Sequence, residues 1–488
     1  MIPTGSKNTK ICHPTKCFLK AMINHDTNLI AHLMRRAGFG APYEQLVRLA
    51  NMGYEATVEE LLHPENQPDL QMDVMNRYMG WRDLGYLAAN QGYWTYRMVN
   101  SPRQLEEKMC LFWHGIFCVG DSKCMAPHNI MLQLDQFRTH GFGSFATILN
   151  YLATNPAMLY YLDNQLSHKE AVNENWGREL LELFSMGVGM DDQPNYTEED
   201  VKACAQAFTG WTIANGLPRY PYGRYYNQFL YNQSDHINEE KTFLGETGNF
   251  NGEDIIRIIS KQPATARFIS RHLYNYFVAD EPQVPVWQTI PPRDPELIKA
   301  LEEEYFRSGY EIRSMLRVLF NSDSFKNARF AKVKSPAEVV CGTLRLVGDF
   351  TTPGPAIYDS ALEIRYMGQD LLNPPTVEGW HTGKEWIDSG TLVERINYVT
   401  GEIGRVESPG VRYIINSLQA GPELISSDDL VDGCLQMLGG YELMPETRSL
   451  LLEHINTLGN LNTQNGEFDQ SVGQILQLIV STQEYQFS

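Results

Sequence analysis

Residues 173–211 read NENWGRELLELFSMGVGMDDQPNYTEEDVKACAQAFTGW. Advancing about 100° per residue from Glu174, the side chains of Arg178, Glu182, Asn175 and Glu179 fall between roughly 40° and 140°. Leu183, Trp176, Leu180, Phe184 and Leu181 fill the arc from about 180° to 340°. One face is apolar, and the other carries three carboxylates and one guanidinium. That is a helical period, not the alternation of a strand. The segment therefore predicts helical architecture, with a charged ridge that is either solvated surface or the wall of a polar site.

The same period recurs on both sides. Residues 28–36, 51–63, 78–98, 103–117 and 128–138 all read as helices, several closed by glycine or proline. Helix starts are marked by local chemistry. Thr197 can cap a helix with Asp200 three residues on, and Glu198 and Glu199 occupy the favoured first turn. Pro263, Pro295 behind Asp294, and Pro336 behind Ser335 each suit a first helical position. Strand signals are sparse, the best being the aromatic run 218–231, PRYPYGRYYNQFLY. The prediction is an all-α chain: a large irregular multi-helix domain with loops near 185–196, 212–252 and 350–390, and one small hairpin near 218–231.

The 488 residues are 43% hydrophobic and carry a net charge of −19. That supports a sizeable core and argues against a broad nucleic-acid or anionic-membrane surface. Residues 401–488 hold 12 Asp and Glu against 3 Arg and no Lys, a net of −9. This shift predicts an acidic helical extension from 401, behind a helical domain over 28–400 and a loosely attached leader over 1–27. The eight cysteines, at 12, 17, 110, 118, 124, 204, 341 and 434, are too sparse for a disulfide scaffold. No run of about 18 apolar residues is present, so no transmembrane helix is expected. The first residues lack a signal-peptide core, and Met22 is an alternative start. A cytoplasmic protein with reduced thiols is the default expectation.

Nine segments resemble, in order, the family called domain of unknown function 1800. They are HLMRRAGFGA from His32, EKMCLFWHGIF from Glu107, NPAMLYYLDN from Asn155, NENWGRELLELFSMGVG from Asn173 and YTEEDVKACAQAFTGW from Tyr196. DHINEEKTFLG from Asp235, PATARFISRHLYNYFV from Pro263, VKSPAEVV from Val333 and MGQDLLNPPTVEGWHTGKEWIDSG from Met367 complete the set. The resemblance spans about residues 28–400. It implies a helical bacterial protein whose relatives are often exported and encoded beside a sulfatase-like family. It names no reaction. The chain departs from the pattern at Ile116, where the family usually carries a second histidine, and in lacking an export signal.

Several constellations could carry chemistry. His114 behind Trp113 is either a packed core histidine or a ligand or acid–base group. Asp235 and His236, with Lys241 following, could serve a metal or orient a general base; the alternative is a capped turn. Glu174, Arg178, Glu179 and Glu182 can pair along the helix, and if buried they leave surplus negative charge. His114, Cys118, Cys124 and His128 are zinc-ligand types at a spacing that matches no recognised finger. Trp380 and Trp386 read as packing plugs in a Gly/Pro-rich loop. Serine-hydrolase, P-loop, HExxH and dinucleotide motifs are missing.

The expectation is a hydrolase-like enzyme with a catalytic centre of His114, Glu174, Arg178, Glu179, Glu182, Asp235, His236 and Lys241. A divalent metal would be held by His114, Glu179, Asp235 and His236. This reading requires Arg178 to be buried close to His114 and Asp235–His236. The alternative is a non-catalytic helical scaffold that binds a sulfatase-like partner.

Overall fold

Helix boundaries follow the local signals where those are strong. In the computed structural model, which describes residues 25–79, 85–124, 126–214, 227–456 and 461–488, Thr197 opens the helix Glu198–Ala207 with a complete capping box. The Thr197 hydroxyl accepts from Asp200 N at 3.2 Å, and the Asp200 carboxylate accepts from Thr197 N at 2.9 Å. Ser335 and Glu338 do the same for Pro336–Val347. Asp294 caps Pro295–Arg307, and Pro263 starts Pro263–Phe277. The Thr197, Ser335 and Asp294 side chains satisfy amide groups that the helix itself leaves open, whereas Pro263 has no N–H to leave open.

Among the described residues the architecture is all-α, with four two-stranded antiparallel sheets, three of them hairpins and the fourth pairing Leu424–Ile425 with Leu461–Asn462 across two intervening helices. Trp211–Ala214 pairs with Gln228–Tyr231, Trp211 opposite Tyr231. The hairpin expected over 218–231 thus takes its first strand from upstream, and 215–226 lie outside the described residues. Lys241–Phe243 pairs with Glu246–Gly248 through Leu244 and Gly245, both at positive φ, as a two-residue hairpin turn requires.

Three other expectations need correcting. Residues 51–63 are not one helix: Gly53, at φ +99°, divides Tyr43–Met52 from Tyr54–Leu62. The loop expected over 350–390 contains the helix Ala356–Tyr366, which begins without a side-chain cap and so left no start signal. The first described helix, His25–Arg36, starts inside the stretch assigned to the leader, whose residues 1–24 lie outside the described ones.

The core is a large continuous apolar cluster, with a small second one formed by Val333, Trp380 and Trp386. At its centre Trp113 stacks on Phe117 at 5.2 Å and on Phe145 at 6.1 Å. The helix Ser389–Ile403 crosses position 401 and packs on Phe468–Val480, where Gln477 donates to Thr400 O at 2.9 Å. No helix among the described residues is long and apolar enough to cross a membrane.

Candidate functional site

The charged ridge sits on the short helix Asn175–Glu182, which buries Trp176, Leu180 and Leu181. Gly177 lets this helix approach Glu198–Ala207 closely; a Cβ there would meet Ala205 N at 3.0 Å. The approach brings Glu198 to Arg178, and the two form a bidentate pair at 2.8 and 2.7 Å, with Glu174 farther off at 3.8 Å. Arg178 is 36% exposed. The expectation of a buried arginine therefore fails. The apolar face fixes the helix rotation, and that rotation leaves Arg178 at the rim, where Glu198 neutralises it.

Glu179 lies on the other flank of the ridge. Burial pushes its carboxyl up to about 7, the negative charges of Glu182 and Glu378 add to the effect, and Arg178 opposes it. Glu182 accepts from Tyr196 Oη at 3.4 Å. Glu378 arrives on a loop pinned to the helix Gln104–Ile116. Gly379, at φ +89°, lies so close that a Cβ would meet Gly115 O at 2.6 Å and Cys118 Sγ at 2.9 Å.

His114 is fully buried between Trp94 and Trp380, edge-on at 5.5 and 5.4 Å, and neither ring nitrogen has a partner. Burial pushes it down to about 3, so the ring is neutral. Asp235 accepts from His168 and is held below its usual range by that bond. His236 Nδ1 donates to Thr209 O at 3.0 Å. Lys241 Nζ donates to Ile237 O at 2.7 Å and Glu239 O at 2.9 Å. Lys241 thus holds its own loop together, while Asp235 and His236 tie that loop to two different partners, His168 and Thr209. Among the described residues, no three His, Cys, Asp or Glu side chains are grouped to hold a metal. His114, Glu179, Asp235 and His236 therefore do not converge as a ligand set. Cys118 and Cys124 donate to main-chain carbonyls, of His114 at 3.2 Å and of Ala157 at 3.4 Å, and build no zinc site.

Glu378, whose charge helps to raise Glu179, lines a cavity of about 80 Å³ together with Ile116, Leu183, His272, Tyr276 and Trp380, among others. Four of the motif segments meet here, contributing Ile116, Leu183, His272–Tyr276 and Glu378–Trp380. Burial, then Arg271, pushes His272 down to about 3, and its ring packs on Phe268 and Trp287. His272, Tyr276 and Glu378 were inside quoted segments, yet nothing in their spacing distinguished them from core or loop residues. Ile116 lines the wall where the family pattern carries a histidine.

A second polar cluster was missed altogether. Glu107 is fully buried between Arg97, at 2.8 Å, and Arg138, at 2.9 Å. Burial would raise its carboxyl, but the two guanidinium groups hold it at about 2. Beside it, burial and then the charge of Glu107 push Glu106 up to about 7. Glu106 lines an open cavity of about 710 Å³.

The motif segments thus converge in space as well as in order, and a family model described as Protein of unknown function (DUF1800) matches residues 32–487. The chain belongs to that family. The DUF1800 match continues through the acidic C-terminal stretch, beyond the limit of about 400 read from the motifs. Comparisons with curated proteins and with solved structures return no match.

Proposed function

We propose that this DUF1800 protein is an enzyme of the hydrolase type in which Glu179 moves the proton. The observation that carries the reading is the carboxyl of Glu179, raised to about 7 by burial, by Glu182 and by Glu378, the last of which lines the cavity. At neutral pH such a group is present in both forms, so it can take a proton from water and return it to a leaving group. Glu182, bonded to Tyr196, favours the protonated form of Glu179 through its negative charge. Glu378 in the cavity wall, coupled by charge to Glu179, favours a neutral or cationic polar substrate over an anion. Six buried free cysteines among the described residues support a reducing compartment, the cytoplasm.

The test is hydrolysis of a panel of model esters, amides, glycosides and phosphate esters by the parent and by Glu179→Gln, with circular dichroism to verify folding. One substrate class should be turned over with a rate inflection near pH 7 that the variant lacks. Equal rates for parent and variant on every class would end the proposal.

A further inference from the structure

The interior also gathers cations, away from the glutamates. Arg36, Lys108 and Arg395 are fully buried, and Arg35, Lys332 and Lys334 nearly so. The carboxylates bonded within this group are Glu338 and Asp280. Glu338 takes Lys108 and the amide of Ser335, the latter at 2.7 Å. Asp280 takes Lys332 at 3.5 Å and the amide of Val333 at 3.0 Å. Glu338 also acts electrostatically on Arg36, Lys334 and Arg395. Six basic side chains thus have two side-chain carboxylates among them, and burial pushes the ammonium groups of Lys108 and, further, Lys334 down.

The surplus is sharpest around a cavity of about 60 Å³ lined by Arg35, Lys334, Glu338, Tyr441, Tyr485 and Ser488, among others. Lys334 Nζ donates to Tyr441 Oη at 2.7 Å and Tyr485 O at 2.6 Å, both uncharged. Arg35 donates Nη1 to Gly439 O at 2.8 Å and lies between the rings of Phe330 and Tyr441. Its Nε and Nη2 are buried without a partner, as is Ser488 Oγ. Nε and Nη2 form one of the two edges by which a guanidinium can grip two oxygens of an oxyanion side by side. A guanidinium keeps its proton under all ordinary conditions, so Arg35 cannot shed its charge on burial. Water can fill hydrogen bonds but supplies no counter-charge. A space of this size, about two water molecules by liquid volume, suits a single small ion.

We propose that this cavity binds one small oxyanion of the phosphate or sulfate type, which balances the charge of Arg35 and favours the protonated form of Lys334. The site is separate from the Glu179 reading and stands or falls without it. Its cations come from HLMRRAGFGA and VKSPAEVV, so two more motif segments gain a chemical role.

The test is calorimetric titration of the full chain with inorganic phosphate and with sulfate, at ionic strength fixed by chloride, alongside thermal melts. One ion should bind per chain and raise the melting temperature where chloride does not. Arg35→Gln and Lys334→Met should each weaken binding at least about tenfold, as loss of a charge-assisted bond implies. Phenyl phosphate that competes would identify the anion as one end of a larger ligand, and failure to compete would identify a free ion; both support the site. No heat and no shift in the parent chain would overturn it, whatever the fate of the variants. Binding unchanged in two folded variants would overturn it as well. So would binding that appears only after Ser488 is removed, because the counter-charge would then be the chain's own.

Discussion

Glu106 and Glu107 are consecutive residues of one helix, and their carboxyls are pushed in opposite directions, to about 7 and about 2. Consecutive helical residues point about 100° apart. Glu107 turns into the interior, where Arg97 and Arg138 close on it, while Glu106 lines the large cavity with Oε2 unpartnered. Arg103, at 3.7 Å, is the cation nearest Glu106.

Glu106 therefore holds its proton in the folded chain between about pH 4.5 and 7, where the unfolded chain has lost it. The folded state binds more protons across that window, so stability falls as pH rises through it. Glu106→Gln should match the parent at pH 4.5 and exceed it at pH 8 by about 1–3 kcal/mol. Urea melts at the two pH values measure this. Parallel stability curves for parent and variant would show that Glu106 titrates normally.

Glu107 carries the opposite sign. Its pKa is depressed, so its contribution is present above about pH 4.5 and is lost as pH falls towards 2. Glu107→Gln leaves Arg97 and Arg138 without their shared buried carboxylate. It should cost about 3–5 kcal/mol at pH 7. A loss below about 1 kcal/mol would mean that the arginines find other partners.

Arg178→Ala, by contrast, should leave the urea midpoint nearly unchanged, because its bidentate pair with Glu198 lies at the surface. A large loss would restore the buried arginine that the helical wheel suggested. Here lies the boundary of what the sequence discloses. The wheel correctly places Trp176, Leu180 and Leu181 inside, since burial of an apolar face is a local pattern. It is silent about Glu198, twenty residues on, whose approach depends on Gly177 packing against Ala205.

The same contrast runs through the rest of the chain. Capping boxes at Thr197 and Ser335 span three residues, and reading them needs nothing distant. The contact of Lys108 with Glu338 joins residues 230 apart, and no periodicity foretells it. His114 and Asp235–His236 share a family pattern, yet one packs between tryptophans and the other secures a loop. Order along the chain identified the family; it did not identify which motif residues meet.

Gly379→Ala tests the loop that delivers Glu378. The residue has φ +89°, and a Cβ would collide with Gly115 O and Cys118 Sγ. The left-handed backbone alone disfavours alanine by about 1–2 kcal/mol, and the carbonyl contact adds to it. A stability loss above about 2 kcal/mol in thermal melts is expected, with Gly115→Ala, which meets nothing within 4 Å, as the benign control. Equal melting of the two variants would show that the loop is not anchored at this point.

The last prediction concerns Glu179 itself. Its pKa rises first because the group is buried, next because of Glu182, and then, against the pull of Arg178, because of Glu378. Removing a neighbouring negative charge makes the ionised form less costly, so the pKa must fall. Carboxyl-carbon NMR of glutamate-labelled protein should find Glu179 titrating near 7 in the parent. Glu182→Gln should lower that value more than Glu378→Gln does, and neither should restore 4.5, because burial remains. A parent value near 4.5 would remove the proton-carrying group at neutral pH, and the proposed enzymatic role with it. A raised value indifferent to Glu378→Gln would instead detach Glu179 from the cavity that Glu378 lines.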